Sequence, residues 1–284
     1  MTASPEIQEI AIVTGASTGI GAATARELAR RGFHVLAGVR RDCDAEAVRA
    51  AGIEPVILDI TNPEHIQALA TRVHGHAVRA LVNNAAIQAN VPIEAFAIDQ
   101  WRAMFEVNLF GQVAVTQALL PDLIASQGRV VNISSVGGKV AMAAYGPYAA
   151  TKFALEAVSD SLRRELSAFG VHVIVVEPGA VRTEMLGRAI ATAEELVPTM
   201  TPEQRQRYGN LVHAVNEQAI SSTKSGLPAT AAATVIAKAI TARKPRTRYT
   251  VGRETALLTV VRFLPDRILD RILAAALRPH YPKQ

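Results

Sequence analysis

The sequence predicts a doubly wound α/β domain, with a parallel sheet of about seven strands and helices on both faces. Short β-branched runs alternate with longer stretches of helical period from residue 7 to residue 179, and this alternation is the first observation behind the prediction. The second is that several runs are apolar on both faces, as parallel strands held between two helical layers must be. The third is that no obvious linker divides the 284 residues, so the whole of 1–284 reads as one domain.

Taken in order, the strands are "EIAIVTG" (9–15), "FHVLAGV" (33–39), "IEPVILD" (53–59), "RALVNNA" (79–85), "RVVNISS" (129–135) and "VHVIVVEPG" (171–179). Helices are expected near 19–31, 44–51, 63–74, 99–126 and 147–169. Gly32 closes the first of them, and "TNPE" (61–64) offers an N-cap followed by a proline in the first turn. Residues 183–227 lack a strand candidate and carry polar helix-like stretches, which suits a lid inserted over one edge of the sheet. A last strand, "TRYTVG" (247–252), precedes an amphipathic tail over about 254–284. There Ile268, Leu269, Ile272, Leu273, Ala276 and Leu277 share a face opposite Arg267, Asp270, Arg271 and Arg278. That stripe is expected to cover core or a subunit interface, and a membrane-surface helix is the alternative.

Composition narrows the classes. Hydrophobic residues make up 49% of the chain and aromatics only 5%, so the core must be built from Ala, Val, Ile and Leu. Cys43 is the single cysteine, which excludes an internal disulfide and fits a reducing, cytoplasmic setting. The first ten residues show neither a basic region nor a long apolar run, so no secretion signal is read there, and no membrane span is expected. The net charge of +5 is uneven: residues 243–284 hold ten Lys/Arg against three Asp/Glu, or +7, which leaves about −2 for the rest. A nucleic-acid footprint would be broader and interleaved with aromatics, so that class of partner is excluded.

Two stretches carry chemistry. "VTGASTGIG" sets Gly15, Gly19 and Gly21, with Ser17, Thr18 and Ile20 between and beside them, at the junction of the first strand and first helix. Glycines there let the backbone turn tightly and approach a pyrophosphate, whose charge meets the helix N-terminus. The spacing GxxxGxG differs from the common GxGxxG. "AAYGPYAATKFAL" (143–155) offers two tyrosines and a lysine. Pro147 belongs to a first helical turn, so the helix starts near it, Tyr148 sits in that turn, and Lys152 lies four residues on along the same face. Tyr145 falls in the approach loop. An ammonium and a helix N-terminus would both favour the phenolate of Tyr148, bringing a general acid/base toward neutrality. Ser134 and Ser135 end the fifth strand on opposite faces, and only one can reach Tyr148.

"TGASTGIG" (14–21), "NNAA" (83–86), Asn108, "NISS" (132–135), "YAATK" (148–152) and "EPGAVRT" (177–183) stand in the order and spacing of the short-chain dehydrogenase/reductase family. The chain resembles its compact oxidoreductase branch, and "SSVGGKVAMAAYGPYAATKFAL" is most similar to the hydroxysteroid and retinol dehydrogenase side.

The resemblance implies a Rossmann fold, a nicotinamide cofactor, and a catalytic tetrad of Asn108, Ser135, Tyr148 and Lys152, since the family's serine commonly precedes its tyrosine by thirteen residues. It places Asp59 and Ile60 at the adenine edge, Asn83 and Ala85 along the central groove, and Pro178, Gly179, Val181 and Thr183 beside the nicotinamide. Tyr148 and Lys152 also belong to the cofactor site. In "LAGVRRD" Val39 stands where an acid would bind a ribose 2′-hydroxyl, and Arg40 and Arg41 follow, which favours NADP(H) over NAD(H). Ser135, Val136, Ala141, Met142, Tyr145, Tyr148 and Met185 are the candidate substrate contacts, and no metal is expected. The leading expectation is therefore an oxidoreductase acting on a hydrophobic carbonyl or alcohol, assembled as a homodimer or homotetramer. A non-catalytic NADP(H)-binding redox sensor is the alternative.

Overall fold

Residues Ile10, Ala11, Ile12 and Val13 form β1, and their alternation defines the two layers above and below the sheet. Ala11 and Val13 point into one apolar cluster, and Ile10 and Ile12 into another. The computed structural model of the protein describes residues 9–252, 255, 257 and 260–282. The next five strands are β2 (His34–Val39), β3 (Ile53–Ile57), β4 (Val78–Asn83), β5 (Arg129–Ile133) and β6 (His172–Pro178). The remaining ones are β7 (Val181–Arg182), β8 (Leu227–Pro228) and β9 (Arg248–Val251). The main sheet runs β3-β2-β1-β4-β5-β6-β9, and every pairing in it is parallel. The seven predicted strands are thus its seven members. Strand order reverses between β1 and β4, the place where such sheets open a crevice for ligand.

Helices α1 (Gly19–Arg30), α2 (Asp42–Val48), α3 (Pro63–Val73), α4 (Ile98–Phe105), α5 (Gly111–Ala125) and α6 (Gly146–Glu165) follow the expected order. Gly32 follows α1 with φ +90°, and the Asn62 side chain accepts from the Glu64 N–H to cap α3. α6 begins at Gly146, one residue earlier than expected, with Tyr145 as its N-cap. α4 and α5 are joined through a π-helical turn, Glu106–Phe110. The run Ile98–Ala125 is long and apolar enough to cross a membrane by length and composition, yet half of its most apolar window is buried inside the fold. Leu119 and Leu123 of that run pack against β4 and β5 residues Leu81 and Val130, so it is the crossover that parallel strands require.

Beyond β6 the structure departs from the expectations in three ways. Residues 183–227 hold two helices, α7 (Glu184–Leu196) and α8 (Pro202–Lys224), but Leu227 at the segment's end, with the flanking Val181, Arg182 and Pro228, also forms a small parallel sheet, Val181↔Leu227 and Arg182↔Pro228. A helix that the sequence reading passed over, α9 (Ala229–Thr241), packs on α1 through Ala232, Ala233, Ile236, Ala237 and Ile240. The buried Arg129 side chain donates to Ala239 and Ala242 carbonyls and so caps the C-terminal end of α9. Finally, the stripe on the C-terminal helix Asp266–Leu277 is only partly covered. Leu277 packs against Ala214 and Val215 of α8, Leu269 and Leu273 are half-buried, and Ile268 and Ile272 are exposed.

Candidate active site

The turn after β1 is shaped by contacts that tolerate no side chain. Gly15 and Gly19 have φ of +63° and +56°, and a Cβ on Gly15 would sit 2.8 Å from the Ala85 Cα. A Cβ on Gly21 would lie 2.3 Å from the Gly15 carbonyl oxygen and 2.5 Å from Asn84 Nδ2. Asn84 holds the turn from below, donating to the Thr14 and Gly15 carbonyls at 2.9 and 3.0 Å, while the Thr14 hydroxyl accepts from the Asn84 and Ala85 N–H groups. Thr18 is extended ahead of α1 and makes no side-chain cap bond, so α1 presents its first turn of N–H groups beside half-buried Ser17 and Ile20. Thr183, capping α7 in extended conformation, closes the far wall, 3.1 Å from where a Gly19 Cβ would be.

At the end of β2, Arg40 and Arg41 are both exposed but differ in commitment. Arg41 forms a two-point bridge to Asp44, with both distances 2.7 Å, whereas Arg40 makes no hydrogen bond or ion pair among the described residues. An exposed pair of this kind contributes little and can be exchanged for a stronger anion. Asp59 Oδ1 accepts from the Thr61 N–H and hydroxyl at 2.9 and 2.7 Å. Burial works to raise the Asp59 pKa, but the Thr61 bonds and the nearby Arg40 charge outweigh it and hold the group below its ordinary value. Ile60 turns its side chain into the core, which leaves only its main chain for a ligand.

Asn83 is placed differently from its expected lining role. Its Nδ2 donates to Thr116 and Asn132 inside the sheet, both at 2.9 Å, and Asn132 in turn donates to Ser159 at 2.8 Å. The result is a buried polar ladder that joins β4, β5, α5 and α6. Ala85 stays at the groove under Gly15, its carbonyl fixed by Gln112. Pro178 is buried at the end of β6, and Gly179 donates to the Val251 carbonyl at 3.1 Å. No Cβ fits on Gly179, because Thr255 Oγ1 would be 2.2 Å away. Val181 is buried in β7.

The four tetrad positions converge at the C-terminal ends of β4 and β5. Ser135 caps a short 3-10 turn through its Oγ, which accepts from the Gly137 N–H at 3.1 Å, and its hydroxyl lies on the Tyr148 side, where a Cβ on Gly137 would touch both side chains. Ser134 points the other way, buried with no partner for its hydroxyl among the described residues. Of the two serines, Ser135 is the one on the Tyr148 side. Lys152 is fully buried, and its Nζ donates to the Ile133 carbonyl at 2.8 Å and lies 5.8 Å from the Tyr148 ring centroid. Asn108, in the π turn, accepts from the Ile87 N–H and donates to the Ile87 carbonyl, both at 2.8 Å, and donates to Thr151 at 3.2 Å. It clamps the loop after β4 to α6. One expectation fails here. Burial pushes the Tyr148 pKa up to about 12, against the lowering pull of Ser135, so desolvation outweighs the phenolate-favouring surroundings. Burial also brings Lys152 down to about 8, opposed by Glu156.

Tyr148 also belongs to an apolar cluster with Ala89, Val91, Phe96, Met104, Ala193, Met200 and Val212, against which Trp101, Tyr145, Leu196 and Val197 pack. Of the predicted substrate contacts, Ser135 and the two tyrosines meet at this wall. Val136, Met142 and Met185 are half-buried outside the cluster, and Ala141 is exposed. Phe96, Met200 and Val212 were missed by the sequence reading. The lid helices bring Ala193, Leu196 and Val212 there, and only helical period in 183–227 could have hinted at it. The neighbouring Ala144 is held at φ +59°, a conformation uncommon outside glycine, by its carbonyl's bond to the Val91 N–H.

A dinucleotide crevice whose floor carries a buried tyrosine and lysine on one helical face defines a nicotinamide-dependent oxidoreductase of the doubly wound class. The chain belongs to the short-chain dehydrogenase family, whose model matches residues 9–194. It is 34% identical to the NADPH-dependent 3-dehydrocapnine reductase of Ornithobacterium rhinotracheale, over 92% of this chain and 95% of that protein. It is 35% identical to retinol dehydrogenase 5 of Mus musculus, over 95% and 89%. A short chain dehydrogenase from Burkholderia cenocepacia, solved in complex with NADP, superposes with a TM-score of 0.73 at 26% identity, covering 94% of this chain and 98% of that one.

Proposed function

We propose that the protein interconverts a carbonyl and an alcohol on a hydrophobic small molecule, using NADP(H), with Tyr148 as general acid/base. The observation that carries this reading is the placement of Tyr148, beside Ser135 and Lys152 on one side and packed into the apolar wall of the lid on the other. The residues present fit the cofactor: a glycine turn with no room for a Cβ at Gly15 or Gly21, Val39 in place of an acid, and Arg40 with no protein partner among the described residues. Arg40 would meet a 2′-phosphate, and a carboxylate at Val39 would have repelled it. The relative named for NADPH dependence and the NADP-bound neighbour support the same choice.

When bound, the nicotinamide supplies or takes the hydride. In the reducing direction Ser135 Oγ and the Tyr148 hydroxyl hold the substrate oxygen, and Tyr148 gives it a proton as the carbon gains the hydride. Burial keeps that phenol in its neutral form, which carries the proton that the donation needs. Lys152, fixed by the Ile133 carbonyl, returns the proton to Tyr148, and Asn108 holds the loop at Ile87 that borders this route. In the oxidising direction the same proton moves the opposite way. We further assign assembly into a homo-oligomer through α5 and α6, which expose Phe153 and, on the adjoining π turn, Phe110.

The test is NADPH oxidation against a panel of lipophilic ketones, aldehydes, steroids and retinoids. Tyr148→Phe should lower kcat by about 10²-fold or more while NADPH affinity stays within about twofold. A variant with undiminished kcat would overturn the role of Tyr148.

A further inference from the structure

The C-terminal segment carries an apolar surface that the oxidoreductase site does not use. Val260 and Phe263 are 67% and 76% exposed, Leu257 is exposed as well, and Ile268 and Ile272 stand 45% and 42% exposed on the helix Asp266–Leu277. This helix has two apolar faces. Leu277 turns toward α8, packing on Ala214 and Val215, the Ala276 carbonyl accepts from Gln218 at 3.2 Å, and Leu269 and Leu273, half-buried, share the side of the helix that carries Leu277. Ile268 and Ile272 lie about 100° further round, since each residue advances about 100°. Arg267 and Arg271 each precede one of those isoleucines by a residue, so a row of guanidiniums borders the outer apolar row, while Asp266 and Asp270 fall on the far side of the inner one. Arg262 lies over the exposed Phe263 ring, 4.6 Å from its centroid.

Charge decides what covers this face. Residues 243–284 sum to +7, whereas the remainder of the chain sums to about −2. A second copy docked on the same patch would set Arg262, Arg267 and Arg271 against their own images, a like-charge arrangement that disfavours a symmetric contact. An anionic bilayer offers the complementary charge to the guanidinium row and an apolar interior to Phe263, Val260, Ile268 and Ile272. We infer that this segment docks the protein on the surface of an anionic lipid bilayer, lying in the interface without spanning it. The docked helix itself packs on α8, whose Val212 lines the Tyr148 cluster, so the lid side of the crevice would face the membrane.

The inference does not depend on turnover and is tested on the full chain without substrate. Vesicles of phosphatidylcholine alone, and of phosphatidylcholine with about 30% phosphatidylglycerol, are sedimented with the protein at low and high salt. Binding is expected with the anionic vesicles only, falling about tenfold or more as salt rises from about 0.05 to 0.5 M. Phe263→Asp combined with Ile272→Asp should lower the bound fraction about tenfold or more while NADPH affinity and Tm hold. Arg262→Glu, Arg267→Glu and Arg271→Glu together should do the same, and these exposed positions keep the test valid if the apolar pair fails to fold. Equal binding to neutral and anionic vesicles, or none to either, would overturn the inference. A fall in the molar mass of the lipid-free Phe263→Asp/Ile272→Asp protein would overturn it too, assigning the face to a second copy.

Discussion

Arg40 and Tyr148 illustrate how one side chain can carry a testable property of the whole site. Arg40 is the guanidinium at the end of β2 with no protein partner among the described residues, so replacing it should move cofactor choice more than stability. Arg40→Asp is expected to raise KM for NADPH by about 10- to 100-fold, the worth of a lost charge-assisted bond plus a new repulsion, and to leave KM for NADH unchanged or lower. Steady-state kinetics with both cofactors check it. Tyr148 yields a pH prediction. Its phenol ionises at about 12 in the folded protein against the ordinary 10.0. Stability from the buried neutral phenol is therefore complete below pH 10 and is lost as pH rises toward 12, with a limit of about 2–3 kcal/mol. Tyr148→Phe removes that titration, so urea midpoints of the variant should fall less than wild type between pH 8 and pH 10.5. At this scale the sequence was informative where one residue type performs one task. It was silent on direction: only the backbone at the end of β5 turns Ser135 toward Tyr148 and Ser134 into the core, and only the packing of α5 turns Asn83 inward.

Elements were legible where punctuation is strong. Proline and asparagine opened α3, proline opened α6 near Tyr148, glycine closed α1, and β-branched runs marked all seven strands of the main sheet. α9 was passed over although its buried Ala232, Ala233, Ile236, Ala237 and Ile240 keep helical spacing, because small alanines weaken the contrast between faces. The π turn at Asn108 and the two-residue strands β7 and β8 leave no periodic trace that short. Two predictions belong here. Gly21→Ala would drive a Cβ into the Gly15 carbonyl and Asn84, so the turn must open. We expect a loss of about 1–3 kcal/mol in thermal or chemical denaturation and at least tenfold weaker NADPH binding by fluorescence titration. The start of α8 is latched by Glu94, which accepts from Arg207, from the Tyr208 hydroxyl at 2.8 Å and, through its carbonyl, from Gln204 at 3.4 Å. Exposed bonds of this kind contribute little to stability. Glu94→Ala should shift Tm by only a few degrees yet change substrate KM several-fold with kcat/KM lowered, since the lid wall carrying Val212 and Met200 is freed to move.

For the molecule as a whole, the assembly assigned to α5 and α6 rests on the exposed Phe110 and Phe153 and on a groove between these helices lined by Val113, Leu120, Val158 and Leu162 together with polar Gln117, Ser161 and Glu165. Phe153→Asp should shift sedimentation-velocity mass to that of a monomer, and an unchanged mass would reject that interface. The order of the sheet has a consequence for synthesis. β1, β2 and β3 build outward in one direction, and β4, β5, β6 and finally β9 build in the other. At a ribosomal rate of about 5–20 residues per second, roughly 10 to 50 s separate the emergence of β1 from that of β9. For roughly the last third of that interval β6 is a bare edge on the nascent chain, and Glu177, later held near Lys139 and Arg248, has no Arg248 to face it. A translational pause or truncation before residue 248 would therefore leave a sticky, half-closed sheet on the ribosome, a ready client for chaperones. Release of the last strand is the event that retires that hazard.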